Sequence, residues 1–132
     1  MTYATRTDLE ERYGADELAQ RESMLPAGAV ARALSDADAE VNGYVAGAYG
    51  VPLAPVPTNI VRIAAAIARY RLLGDAATEQ ARADYGDAVR FLRDVQAGRA
   101  ALMDAAPIAG NTPAATIAVT NSRDKVFSGG LQ

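Results

Sequence analysis

Residues 51–73 read VPLAPVPTNIVRIAAAIARYRLL, and this stretch decides the fold. Pro52, Pro55 and Pro57 crowd its first part. Each proline fixes φ and removes a backbone donor, and the residue before a proline prefers an extended shape. VPLAPVP is therefore expected to be a stiff, extended connector. Thr58 is the expected cap of a helix over Asn59–Leu73. Its large apolar residues are Ile60, Val61, Ile63, Ile67, Leu72 and Leu73, with Ala64, Ala65, Ala66 and Ala68 between them. Its charges are Arg62, Arg69 and Arg71. A helix this apolar is normally surrounded by other elements. The pattern predicts a central helix aimed by a proline elbow.

Working outward, three further helical patterns precede it. TRTDLEERYG, residues 5–14, has Thr7 as expected cap and Glu10 three residues on, a capping box. Gly14 closes that short helix, and ADELAQRES reads as a second one, stopped near Pro26. From Gly28, Val30, Leu34, Ala37, Val41, Tyr44, Val45 and Ala48 recur at three- and four-residue steps, one stripe on a long helix. Beyond the central helix, Gly74 is a stop and Thr78 a cap. Ala81, Tyr85, Ala88, Val89, Leu92 and Val95 then make the inner stripe of a last long helix, up to Ala97. Gly98 stands where a left-handed residue would end it.

The fold class is thus all-α, a small helical bundle of two short N-terminal and three longer helices. The chain of 132 residues suits one compact domain. Residues 1–103 are read as the helical domain. Composition shifts after Met103, and residues 104–132 are read as an extended C-terminal arm in which TIAVT is the candidate for one short strand.

Composition narrows the chemistry. The chain has no His and no Cys, which removes the commonest general base, thiol chemistry and the usual zinc ligands. Neither GxGxxG nor GxxxxGK[ST] occurs. No catalysis, cofactor or metal is expected. DADAEVNG, residues 36–43, imitates the first calcium-loop ligands with Asp36, Asp38 and Glu40, but Val41 stands where the loop needs Gly and Gly47 where it needs Glu. Asp84, Asp87 and Asp94 have Arg90 and Arg93 one helical turn away, so ion pairs explain them as well as acid–base work does. Tyr44, Tyr49, Tyr70 and Tyr85 can stack on bases, but core packing suits their faces better.

The net charge is −3, against a general phosphate-binding surface. Acidic residues gather before residue 41, and positions 62–99 are mildly basic. Opposite faces would suit head-to-tail contact between copies, and solvated helix surfaces explain the pattern equally. No run reaches the roughly 20 apolar residues of a membrane span, and the polar opening is no signal peptide. A chain that is soluble and intracellular where it is made is expected. In the arm, Arg123, Lys125, Val126, Phe127 and Leu131 form the candidate protein-interaction set, an aromatic anchor with basic neighbours.

Four stretches together, MTYATRTDLEERYGADELAQ (1–20), ALSDADAEVNGYVAGAYGVPL (33–53), VPTNIVRIAAAIARYRL (56–72) and RADYGDAVRFLRDVQAGRAAL (82–102), resemble the small head–tail adaptor (connector) proteins of Mu-like phages. RDKVFSGGLQ loosely resembles their ending and departs from it in SGGLQ. The resemblance implies a helical structural protein of the virion, at the head–tail interface. It implies a ring, commonly of twelve copies, below the portal protein and bridging it to the next neck or tail-terminator protein. Genomic DNA would pass through without sequence-specific binding, and no membrane is involved. The competing reading is a small helical DNA-binding regulator using Arg90, Arg93 and Arg99, against which Asp87 and Asp94 stand.

Overall fold

A computed structural model describes residues 2–103. The helices are α1 (Arg6–Tyr13), α2 (Ala15–Glu22), α3 (Ala29–Val45), α4 (Thr58–Leu73) and α5 (Glu79–Gln96), with a single 3-10 turn at Gly74–Ala76. Among the described residues the fold is an all-α bundle, as the periodicity predicts. TIAVT and the other arm residues lie outside the described range.

The most apolar helix is the centre. α4 packs against α1, α2, α3 and α5. Ile60, Ile63, Ala64, Ala65, Ile67 and Ala68 on it are fully buried. The small alanines let neighbouring backbones approach, and the isoleucines fill the space between them. α3 brings Val30, Leu34, Ala37, Val41 and Val45 to this core, and α5 brings Ala81, Ala88, Leu92 and Val95. Tyr44, Tyr85 and Val89, read as inner positions, are only half-buried and form the edge where α3 and α5 meet solvent.

Two caps differ from expectation. The box on α1 uses Thr5 and Asp8, not Thr7 and Glu10: Thr5 Oγ1 accepts from Asp8 N–H at 3.2 Å, and Asp8 Oδ2 accepts from Thr5 N–H at 2.8 Å. At α4 the cap position is Pro57, and Thr58 is already helical without a side-chain cap bond. A proline there has no N–H to leave unpaired. Thr78 caps α5 as expected, accepting from Ala81 N–H at 3.1 Å. Gly14 alone joins α1 to α2 with φ of 99°, and Gly98 ends the last helix with φ of 82°. Both values favour glycine, because an L side chain rarely adopts them.

The connector over 50–57 bends at residues 51–52 and 54–55, so it does not run straight. The peptide bonds before Pro52 and Pro55 are cis. Leu53 and Pro57 point inward and are buried, whereas Val51, Pro52, Ala54 and Pro55 form an exposed apolar tip.

Candidate functional site

The polar side chains of the bundle act mainly as ties between helices. Glu40 on α3 is the hub of one clasp. It pairs with the Arg71 guanidinium on α4 and accepts from Tyr85 Oη on α5 at 2.8 Å. The Tyr85 ring stacks on Tyr70 with centroids 4.3 Å apart and planes 11° apart. One carboxylate thereby sets the relative position of the three long helices.

Burial and the Glu40 carboxylate both oppose a phenolate at Tyr85, and its pKa is pushed up to about 12. An unfolded tyrosine titrates near 10. Between those values the unfolded chain releases a proton that the folded chain keeps. The contribution of Tyr85 is therefore complete below about pH 10 and is lost as pH rises through about 12. In ultraviolet titration, the difference between the parent and Tyr85→Phe should have its midpoint near 12. A midpoint near 10 would mean the clasp is open in solution.

A second tie joins the short helices to the core. Arg69 of α4 forks onto Glu17 of α2 at 3.0 and 3.1 Å and lies 4.4 Å over the Tyr13 ring of α1. Glu17 holds the guanidinium more firmly protonated than usual, with burial acting against it. Arg6 and Glu22 join α1 to α2 through two bonds of 2.6 and 3.0 Å. Opposite charges that segment totals suggested for contact between copies are thus partly spent within the chain.

A third set uses tyrosine hydroxyls. Tyr3 Oη donates to Asn42 Oδ1 at 2.6 Å and accepts from the buried Leu53 N–H at 2.9 Å. Tyr3 N–H donates to Asp38 Oδ1 at 3.0 Å. Burial raises the Asp38 pKa, and that backbone bond partly offsets the effect. Tyr49 Oη accepts from Leu102 N–H at 2.9 Å, fixing the chain after α5 against the end of α3.

The other candidate acids and tyrosines are mostly held by neighbours. Asp38 accepts from Tyr3 N–H, whereas Asp36 and Glu40 line one surface groove with Arg71, and no metal-holding group of His, Cys, Asp and Glu occurs among the described residues. Asp84 accepts from Gln80, Asp87 pairs with Arg90, and Asp94 pairs with Arg99. Tyr49 is buried, and Tyr70 has one face of its ring stacked on Tyr85. No helix among the described residues is long and apolar enough to cross a membrane. Arg123, Lys125, Val126, Phe127 and Leu131 lie outside the described residues.

Among the described residues the surface offers several grooves: the Glu40–Arg71–Tyr85 clasp lines one with Asp36 and Tyr44, and two others follow the seams between elements. One runs along α3 and α5 beside Tyr44, Tyr85 and Val89, with Arg90 and Arg93 at its rim. The other, about 300 Å³, lies between the start of α4 (Pro57, Thr58, Asn59), Phe91 of α5, and Leu102 and Met103. Sequence periodicity points to neither, because each is formed by residues from separate helices.

Comparison with known proteins places the chain among phage sequences. The model of the family described as Bacteriophage Mu, Gp36 matches residues 3–120. The chain is similar to the Mu-like prophage FluMu protein gp36 of Haemophilus influenzae. They are 39% identical over 105 residues, which cover 76% of this chain and 74% of that protein. It is also similar to Gene product J of Escherichia phage Mu, at 37% identity over 105 residues, covering 75% of this chain and 74% of that one.

Proposed function

The chain belongs to the bacteriophage Mu Gp36 family, and from that premise we propose that it is a structural head–tail adaptor without catalytic activity. In this reading identical copies, twelve in the virion, form a ring below the portal protein. The ring bridges the portal to the next neck or tail-terminator protein and lets genomic DNA pass without reading its sequence. Copies wait in the host cytoplasm before assembly.

The observation that carries the reading is the Glu40 clasp. Glu40, Arg71 and Tyr85 fall in three of the four stretches that carry the adaptor resemblance, and together they hold α3, α4 and α5 at one angle. A closed ring needs every copy to present the same wedge, since a heterologous contact with a variable angle does not close. The exposed apolar tip at Val51, Pro52, Ala54 and Pro55 and the groove beside Tyr44 and Val89 supply surface for such contacts.

Light scattering tests this directly. The purified chain alone and then with purified portal rings is expected to change from a free species to a portal-bound ring. A chain that ignores the portal but shifts duplex DNA at low salt would support the regulator. That outcome is not expected, because Asp87 and Asp94 stand beside Arg90 and Arg99 and offset their charge. DNA affinity depends on cations that can replace counterions on phosphates.

A further inference from the structure

The groove between the start of α4, Phe91 and Met103 has an occupant within this chain. We propose that it receives the Val126–Phe127 pair of the same copy, so that the C-terminal arm folds back across the base from which it leaves.

Four observations carry the proposal. The groove is walled by Pro57, Phe91, Leu102 and Met103, and Met103 is 78% exposed at its edge. The described chain ends at that edge, so residues 104–132 start from the groove itself. The 23 residues from Met103 to Val126 can span up to roughly 75 Å at ~3.3 Å each, so a return is well within reach. Phe127 is the one aromatic residue in the 104–132 sequence, next to Val126 and preceded by the charged Arg123, Asp124 and Lys125.

The chemistry of the walls favours that residue. An aromatic ring gains from edge-to-face contact with Phe91 and from contact with a methionine sulfur. Ile108 is nearer in sequence, but Pro107 disfavours a helical turn at Ala106, which leaves little chain with which to double back onto Met103. A linker of this length holds its end at an effective concentration of about a millimolar. That exceeds the concentration of other copies in a micromolar solution, so the same copy wins. The same contact made by an adjacent copy would be an arm exchange without new chemistry.

Because the chain contains no cysteine, a disulfide trap reads the contact cleanly. Thr58 lines the groove and is exposed, so Thr58→Cys leaves the core alone. Combined with Ser128→Cys and oxidised at low micromolar concentration, the full chain should give an internally bridged monomer that migrates fast without reductant. Adding Phe127→Ala should slow bridging at least tenfold, whereas adding Ile108→Ser should leave it unchanged. Covalent dimers and ladders without the internal bridge would overturn docking on the same copy. Equal rates with Phe127→Ala would show random collision of a tether and overturn the proposal, as would loss of bridging with Ile108→Ser. The trap uses the isolated chain, so its outcome is separate from that of the portal experiment.

Discussion

Ile67→Ala is expected to lower the free energy of unfolding by about 2–5 kcal/mol. Ile67 is fully buried on the helix that every other helix touches. Its neighbours on α4, including Ala64, Ala65 and Ala68, are fully buried and too small to move into the space. The cost is therefore both lost transfer energy and a persisting cavity. Domains of this kind are stable by only about 5–15 kcal/mol, so one substitution removes a large share. Arg90→Ala makes the control. Its pair with Asp87 is exposed on both sides, and such pairs contribute about 0–1 kcal/mol. Urea unfolding followed by circular dichroism measures both. A loss below about 1 kcal/mol for Ile67→Ala would mean that the core closes around the gap, contrary to a frame built on α4.

That prediction follows from a feature already legible in residues 51–73. Near-continuous apolarity marks a surrounded helix without any knowledge of what surrounds it, and the stripes on α3 and α5 were readable for the same local reason. Gly14, Gly74 and Gly98 were readable as helix ends because a positive φ is a property of one residue. The α1 cap was harder. Thr5–Asp8 and Thr7–Glu10 have the same spacing, and what separates them is remote: Tyr3 and Ala4 are buried, and Tyr3 N–H is held by Asp38 on α3. The site was less legible still. Glu40 looks like one member of an acidic run, and its partners Arg71 and Tyr85 lie 31 and 45 residues away. The charge total before residue 41 conceals that Glu17 and Glu40 are committed to α4 arginines. Patterns of period 3.6 report which face is buried, and they carry no information about which polar groups meet across it.

Tyr3→Ala is expected to cost about 3–5 kcal/mol, as for other buried aromatics, and Tyr3→Phe about 1–3 kcal/mol. The difference separates packing from hydrogen bonding. Tyr3 is 6% exposed, and its hydroxyl is the partner of the buried Leu53 N–H. Phenylalanine keeps the ring but leaves that N–H without a partner, and an unpaired buried donor bears the full desolvation penalty. Asn42 loses less, because it is half-buried on α3 and can turn its amide toward water. The consequence is therefore local to the proline connector. Amide exchange at Leu53 should accelerate in Tyr3→Phe, while amides in the middle of α4, such as that of Ile67, change only by the global loss of stability. Equal acceleration at both positions would mean that Leu53 opens only when the whole domain unfolds. The connector would then have no independent anchor at Tyr3. If Leu53 alone responds, this single hydroxyl holds the connector at its angle between α3 and α4. Assembly of Tyr3→Phe with the portal should then fall more steeply than its helix content. That is the behaviour a wedge-defining elbow requires, and an ordinary loop between two helices would not show it.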